Sequence, residues 1–87
     1  MRRKLIDDGY PSVSCYTYPR GTVFAEHTHR VDKKDAVLEG EFAITIEGEE
    51  FLLRPGDVIE VPSNTIHQAE VRGITPVVSL DAARDLK

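Results

Sequence analysis

The stretch EGEFAITIEGE, residues 39–49, predicts the fold class of this chain. Phe42, Ile44 and Ile46 alternate with smaller or polar residues at a period of two, which is typical of a strand with one buried face. Glycines at both ends of the stretch tolerate the positive φ that a tight turn requires, so the neighbouring strands are expected to fold back as hairpins. The stretch therefore predicts an antiparallel meander.

Seven further segments have strand-like composition and are bounded by closely spaced glycines and prolines. These segments are residues 12–18, 22–29, 36–38, 50–53, 58–61, 65–71 and 77–80. The pair Pro55-Gly56 has the composition of a type II turn, in which proline presets φ and glycine adopts the opposite sign. About eight short strands in a chain of this size predict an all-β sandwich or barrel. Residues 81–87 are expected to form a helical turn or to fray.

Composition limits the classes of partner. The 87 residues are enough for one domain over residues 1–87, with a core at about 12–80 and flanking tails, and association into a homodimer would help stabilise so thin a core. A net charge of −4 without a long basic run argues against a nucleic-acid partner. Cys15 is the one cysteine, and no apolar run approaches the roughly 20 residues needed to cross a bilayer. We expect a cytoplasmic protein without a membrane partner.

Three histidines, His27, His29 and His67, are candidate metal ligands. His27 and His29 lie two apart on a predicted strand, so they share a face at a separation of about 6.6 Å. At that spacing both imidazoles can reach one ion at about 2.0 to 2.1 Å. His67 follows its own turn signal at residues 62–64, and a barrel can bring it opposite the pair. Isolated histidines often form surface hydrogen bonds instead, so the spacing alone leaves a structural role open.

The residues around the histidines resemble the two sequence motifs of the cupin superfamily. The segment resembling the first motif is Gly21, five residues, His27-Thr28-His29, three residues, Lys33, six residues and Gly40. The segment resembling the second motif is Gly56, five residues, Pro62-Ser63-Asn64, two residues and His67. Asn64 replaces a glycine of that motif but tolerates a left-handed conformation, so the turn should persist. The resemblance implies a small, single-domain, jelly-roll-like cupin β-barrel of antiparallel strands.

The resemblance also implies a metal centre. In cupins the first motif supplies two histidines and a glutamate, and the second supplies a third histidine. Those roles fall on His27, His29 and His67, with Lys33 at the glutamate position. The implied cofactor is a divalent transition metal, with zinc, iron, nickel, manganese and copper all open, and the implied partner is a small molecule in oxygenase, isomerase or lyase chemistry. Whether the protein is an enzyme stays open, because the alternative is a noncatalytic cupin that binds or senses a small ligand, with or without a metal.

Lys33 changes the electrostatics expected at such a site. A protonated lysine has no lone pair to donate, and a unit charge about 5 Å from a divalent ion at an effective dielectric constant of about 20 is opposed by roughly 6 to 7 kcal/mol. Strand alternation would place Asp35 on the same face, so Asp35 is the predicted compensating charge and both residues are pocket candidates. The alternative is that residues 30–35 form a solvated charged loop.

Strict alternation also assigns faces to other side chains near the histidines. Phe24 and Glu26 fall on the face opposite to His27, with Phe24 packing on a second sheet or on a partner and Glu26 in solvent. Tyr16 and Tyr18, two residues apart, are expected to be half-buried in a sheet or to belong to a subunit interface.

Overall fold

The computed structural model describes residues 9, 10 and 12–84, which form eight β-strands. The strands are β1 (Ser12–Tyr18), β2 (Val23–His27), β3 (Asp32–Glu39), β4 (Glu41–Ile46), β5 (Glu49–Leu53), β6 (Val58–Val61), β7 (His67–Arg72) and β8 (Val77–Arg84). The predicted all-β class is confirmed. Among the described residues, no helix has the length and apolar character to cross a membrane.

The strands form two antiparallel four-stranded sheets. One sheet has the order β1-β8-β3-β6 and the other has the order β2-β7-β4-β5. We call them the first and second sheet. Most consecutive strands lie in different sheets, which gives the jelly-roll-like arrangement, and each sheet turns one face towards a common interior.

The connection at Gly40 differs from the prediction. β4 and β5 form the expected hairpin, but β3 and β4 belong to different sheets, so the predicted meander is wrong on that side. Gly40 has a φ of +83°, and a Cβ atom there would collide with the backbone carbonyl of Pro76. Glycine is therefore required where the chain crosses between the sheets.

Apolar side chains fill the interior between the sheets. The buried cluster contains Val37, Phe42, Ile44, Leu53, Val71 and Val77, which come from both sheets. A second cluster of Tyr10, Ala36, Leu80 and Ala82 covers the outer face of the first sheet. Because neighbouring residues on a strand point to opposite faces, β3 and β8 each contribute to both clusters.

β8 extends beyond the predicted end of the last strand. Ala83 pairs with Ser12 on β1, and Arg84 pairs with Asp32 on β3. Residues 81–84 are therefore strand instead of the predicted helical turn, because both neighbouring strands can satisfy their backbone hydrogen bonds. Residues 85–87 lie outside the described part of the chain, as do residues 1–8 of the expected N-terminal tail.

A β-bulge interrupts the alternation in β2. Phe24 pairs with Ala69, and His27 pairs with His67. Three steps along β2 therefore match two steps along β7, which is the signature of one extra residue in β2. The bulge places Phe24 on the same face as His27, so the predicted opposite placement of Phe24 is wrong.

Candidate functional site

The three histidines converge at one end of the interior. The ring centroids of His27 and His67 are 4.2 Å apart, those of His27 and His29 are 4.8 Å apart, and those of His29 and His67 are 5.1 Å apart. One nitrogen from each ring lies within 4.8 Å of the other two. We call this group the imidazole cluster. The two segments that resemble cupin motifs thus meet in space.

Two backbone contacts hold those segments together. The Asn64 backbone N–H donates to the carbonyl oxygen of His29 at 2.7 Å, and the Ser63 backbone N–H donates to Oδ1 of Asp32 at 2.9 Å. Asn64 has a φ of +60°, the left-handed conformation expected for it. The turn before His67 therefore holds both His29 and Asp32 in place. The Asp32 side chain makes one of these hydrogen bonds and does not face the interior.

Two of the imidazoles are oriented by backbone carbonyl groups. Nδ1 of His27 lies 2.7 Å from the carbonyl oxygen of Ala25, and Nδ1 of His67 lies 2.9 Å from that of Thr65. A carbonyl oxygen only accepts, so each Nδ1 carries the proton. The neutral form of such a ring has its lone pair on Nε2, which is the arrangement found in metal-binding histidines.

His29 is also favoured in its neutral form. Burial lowers the pKa of the His29 imidazole, and the Lys33 ammonium and the other two imidazoles lower it further. His67 is buried, with 7% of its surface exposed, whereas His27 and His29 are more accessible. Three imidazole groups that are open on one side fit the requirements of a divalent metal with free coordination positions.

Lys33 and Asp35 both line the interior beside the imidazole cluster. They belong to β3 and share its inner face with Val37, as strand alternation predicts. Residues 32–35 are strand, whereas Arg30 is exposed in the bend before it. Nζ of Lys33 lies 2.7 Å from Oδ1 of Asp81 on β8. The ion-pair partner of Lys33 is therefore Asp81, and the prediction that Asp35 fills this role is wrong.

Asp81 lies directly opposite Asp35 in the pairing of β3 with β8. Burial raises the pKa of Asp35 to about 8; the Asp81 carboxylate acts in the same direction and the Lys33 ammonium opposes it. Oδ1 of Asp81 is buried and, despite its short distance to Lys33, receives no hydrogen bond of good geometry from the described residues. Lys33, Asp35 and Asp81 form what we call the charged wall.

A cavity of about 210 Å³ connects the imidazole cluster to the charged wall. Its lining consists of Tyr18, Phe24, His27, His29, Lys33, Asp35, Phe42, Ile44, His67, Ala69, Ser79 and Asp81. Tyr18 contacts Phe24 edge-to-face at 4.9 Å and stacks on Phe42 at 5.6 Å between ring centroids, which makes an aromatic side to the cavity. Burial, followed by the Asp81 and Asp35 carboxylates, raises the pKa of Tyr18 to about 12, so its phenol is neutral.

Sequence reasoning missed two of these side chains. Asp81 lies just after the predicted last strand and is 48 residues from Lys33, so no local pattern links the two. Phe24 enters the cavity through the bulge in β2, which the alternation pattern does not reveal. Leu80 and Ala82 are apolar and two residues apart, which is compatible with a last strand that extends to Ala82. Asp81 would then lie on the opposite face of that strand, and this signal could have identified it.

Comparison with known proteins agrees with this geometry. The family model of the cupin domain matches residues 14–82. Quercetin 2,3-dioxygenase of Bacillus subtilis (strain 168) is 36% identical over 50 residues, which cover 56% of this chain and 15% of that protein. The chain thus spans a small part of the curated relative that it matches.

Solved structures show the same fold. The structure of KdgF from Halomonas sp. has a TM-score of 0.73 and 29% identity and covers 85% of this chain and 69% of that one. A cupin protein from Bacteroides fragilis has a TM-score of 0.72 and 26% identity and covers 84% of this chain and 64% of that one. Since the family model matches most of the sequence, and the two motifs meet around one cavity, this chain belongs to the cupin domain family.

Proposed function

We propose that the protein binds a divalent transition metal through His27, His29 and His67 and acts on a small molecule bound in the adjacent cavity. The observation that carries this proposal is the orientation of His27 and His67, whose Nδ1 atoms donate to backbone carbonyls and leave Nε2 free. Backbone bonds of this kind fix the tautomer that a metal requires.

The donor set supports a transition metal and does not select one. Imidazole nitrogen suits zinc, iron, nickel and copper, whereas manganese favours oxygen ligands. Three nitrogens bound to one tetrahedral ion at about 2.0 to 2.1 Å lie roughly 3.3 to 3.4 Å from one another. The donor atoms of the observed cluster lie within 4.8 Å of one another, so side-chain movements of about an ångström would close it. A bound ion would supply Lewis-acid polarisation of a ligand oxygen.

Lys33 does not prevent this function, because Asp81 compensates its charge. The Lys33 ammonium is paired at 2.7 Å with a carboxylate on the same face of the sheet. The pair carries no net charge, so it opposes a nearby cation far less than an isolated ammonium would. Three histidines then provide the ligands, and Lys33 belongs to the wall of the cavity.

The lining of the cavity supports a small amphipathic ligand. Tyr18, Phe24 and Phe42 give one side that accepts apolar groups, and the charged wall gives another that accepts polar groups. The relative named quercetin 2,3-dioxygenase makes oxygenase chemistry one candidate, with isomerase and lyase chemistry as the others.

The test is the metal content of protein purified without added metal. Wild-type protein is expected to contain close to one transition-metal ion per chain, and His67→Ala much less. Gln68→Ala is the matched control, because Gln68 is the exposed neighbour on β7 and pairs with Thr45. Equal metal content in the wild type and in His67→Ala would refute the proposed centre.

We also propose that the protein is a cytoplasmic homodimer. Tyr16, Phe51 and Leu52 are 45%, 38% and 39% exposed on β1 and β5, which are edge strands that a second copy can cover. The free thiol of Cys15 suits a reducing compartment. Light scattering coupled to size-exclusion chromatography should give twice the mass of the chain, and a monomer would contradict the dimer.

A further inference from the structure

The charged wall contains two carboxyl groups and one cation. Asp35 on β3 and Asp81 on β8 are directly opposite each other, and both line the cavity. Lys33 is the one ammonium among the described lining residues. Like charges placed directly opposite on neighbouring strands repel each other. Two ionised carboxylates with a single counter-ion would leave one buried negative charge without compensation.

The groups that face this pair do not supply the missing positive charge. Tyr18 from β1 faces the two carboxyls and its phenol is neutral. From the side of the second sheet come the three imidazoles, of which His29 is biased towards its neutral form. Lys33 already contacts Asp81 at 2.7 Å. One carboxyl therefore keeps its proton, which is the usual outcome when two carboxyl groups share a site.

We propose that Asp35 and Asp81 share one proton and serve as the acid–base group of the cavity, acting on a small carbonyl or hydroxy compound. This inference rests on the proposed function for the position of the ligand beside the imidazole cluster. A shared proton favours isomerase or lyase chemistry, which depends on proton transfer, over oxygenase chemistry. Asp81, which contacts the Lys33 ammonium at 2.7 Å, is the base, and Asp35 is the acid.

The surroundings of the two groups support this division of roles. Burial raises the pKa of Asp35, so its carboxyl is protonated where an ordinary aspartate is ionised. Asp81 contacts the Lys33 ammonium at 2.7 Å through Oδ1, which places the cation of the charged wall beside the proposed base. Pairs of carboxyl groups whose environments separate their pKa values commonly divide the roles of acid and base.

The proton transfer balances without an oxidant or a reductant. Asp81 takes a proton from a carbon next to a carbonyl group, and the electrons of that C–H bond form a carbon–carbon double bond. The carbonyl oxygen takes the proton of Asp35, which gives an enol. In a hydroxycarbonyl compound, Asp81 then gives its proton to the former carbonyl carbon, while the neighbouring hydroxyl group returns a proton to Asp35 as it becomes the new carbonyl.

The shared proton can be tested on the metal-free wild-type protein. Carboxyl carbon NMR signals of labelled aspartates, assigned through the backbone, are followed over a pH series. The Asp35 signal is expected to titrate far above the usual range of an aspartate, and to move back towards that range in Asp81→Asn. Ordinary titration of Asp35 in the wild type would overturn the proposal. This measurement needs no metal, so it is independent of the proposed metal centre.

The acid–base role is tested with zinc-loaded protein and dihydroxyacetone in D₂O. The probe's carbon-bound protons are expected to exchange with solvent roughly 100-fold faster with the wild type than with Asp35→Asn. Glu60→Gln is the control, because Glu60 is an exposed carboxylate on the neighbouring strand β6, and it should keep the wild-type rate. Equal exchange rates for the wild type and Asp35→Asn would overturn the acid–base role. Failure of the wild type to bind zinc would instead refute the metal centre and leave the shared proton to the NMR result.

Discussion

Replacing Lys33 with methionine should destabilise the protein far more than the same change at Lys34. Lys33 and Asp81 are 18% and 24% exposed and lie 2.7 Å apart, so removing the ammonium leaves a largely buried carboxylate beside Asp35. Breaking a fully buried pair costs about 3 to 5 kcal/mol. Both side chains keep some contact with solvent, which reduces the cost. We therefore expect Lys33→Met to lower the free energy of unfolding by about 2 kcal/mol, between the values for an exposed and a fully buried ion pair.

Lys34 is a matched control on the opposite face of β3. Its partner Glu60 is 63% exposed at 3.4 Å, and its ammonium lies 5.5 Å from the centre of the Tyr10 ring. Removing Lys34 leaves its partner Glu60 in solvent instead of stranding a buried charge, so Lys34→Met should cost at most about 1 kcal/mol. For a domain of this size each kcal/mol corresponds to about 4 to 8 °C in the melting temperature.

The assay is thermal unfolding followed by circular dichroism. A Lys33→Met/Asp81→Asn double variant should recover much of the lost stability, because it removes the stranded charge together with its partner. The reasoning is refuted if Lys33→Met and Lys34→Met cost the same, or if the double variant is no more stable than Lys33→Met alone.

Two further predictions concern the glycines and Asp35. Gly40→Ala should lower stability by at least about 1 kcal/mol more than Gly48→Ala in urea denaturation, because both residues have positive φ but only the former meets a backbone carbonyl; equal losses would contradict the collision with Pro76. Asp35→Asn should be more stable than the wild type near neutral pH. Folded Asp35 holds a proton that the unfolded chain releases, so wild-type stability falls as pH rises from the ordinary pKa of an aspartate towards about 8, while the variant lacks this slope. Parallel pH profiles would argue against the raised pKa.

Local pattern was sufficient to predict most of the fold. Alternation in Phe42–Ile46 and the Pro55-Gly56 turn identify strands and a reversal that need only neighbouring residues. The sheet to which each strand belongs depends on contacts between distant residues. Gly40 illustrates the limit, since its positive φ is readable as a turn signal, whereas the crossing between sheets depends on its packing against Pro76.

The sequence predicted those parts of the site that depend on the spacing of residues along the chain. His27 and His29 lie near His67 as predicted, and Lys33 and Asp35 share one face. The metal itself stays a prediction. Asp81 could not be assigned to Lys33, because their contact depends on the register of β8 against β3. That register follows from the whole first sheet, and no spacing within either strand encodes it.

The bulge in β2 supplies the extra residue that lets Phe24 and His27, three positions apart, face the same side of the sheet. Substitution of Ala25 or Glu26, whose side chains are exposed, should leave both the aromatic ring and the imidazole in place. Deleting either residue would leave two regular steps between Phe24 and His27, which also places them on one face, so the deletion should remove the bulge without turning either side chain outward. A single-codon deletion at this point of β2 should therefore be tolerated better than one in the regular strand β7, where it would turn every following side chain to the other face.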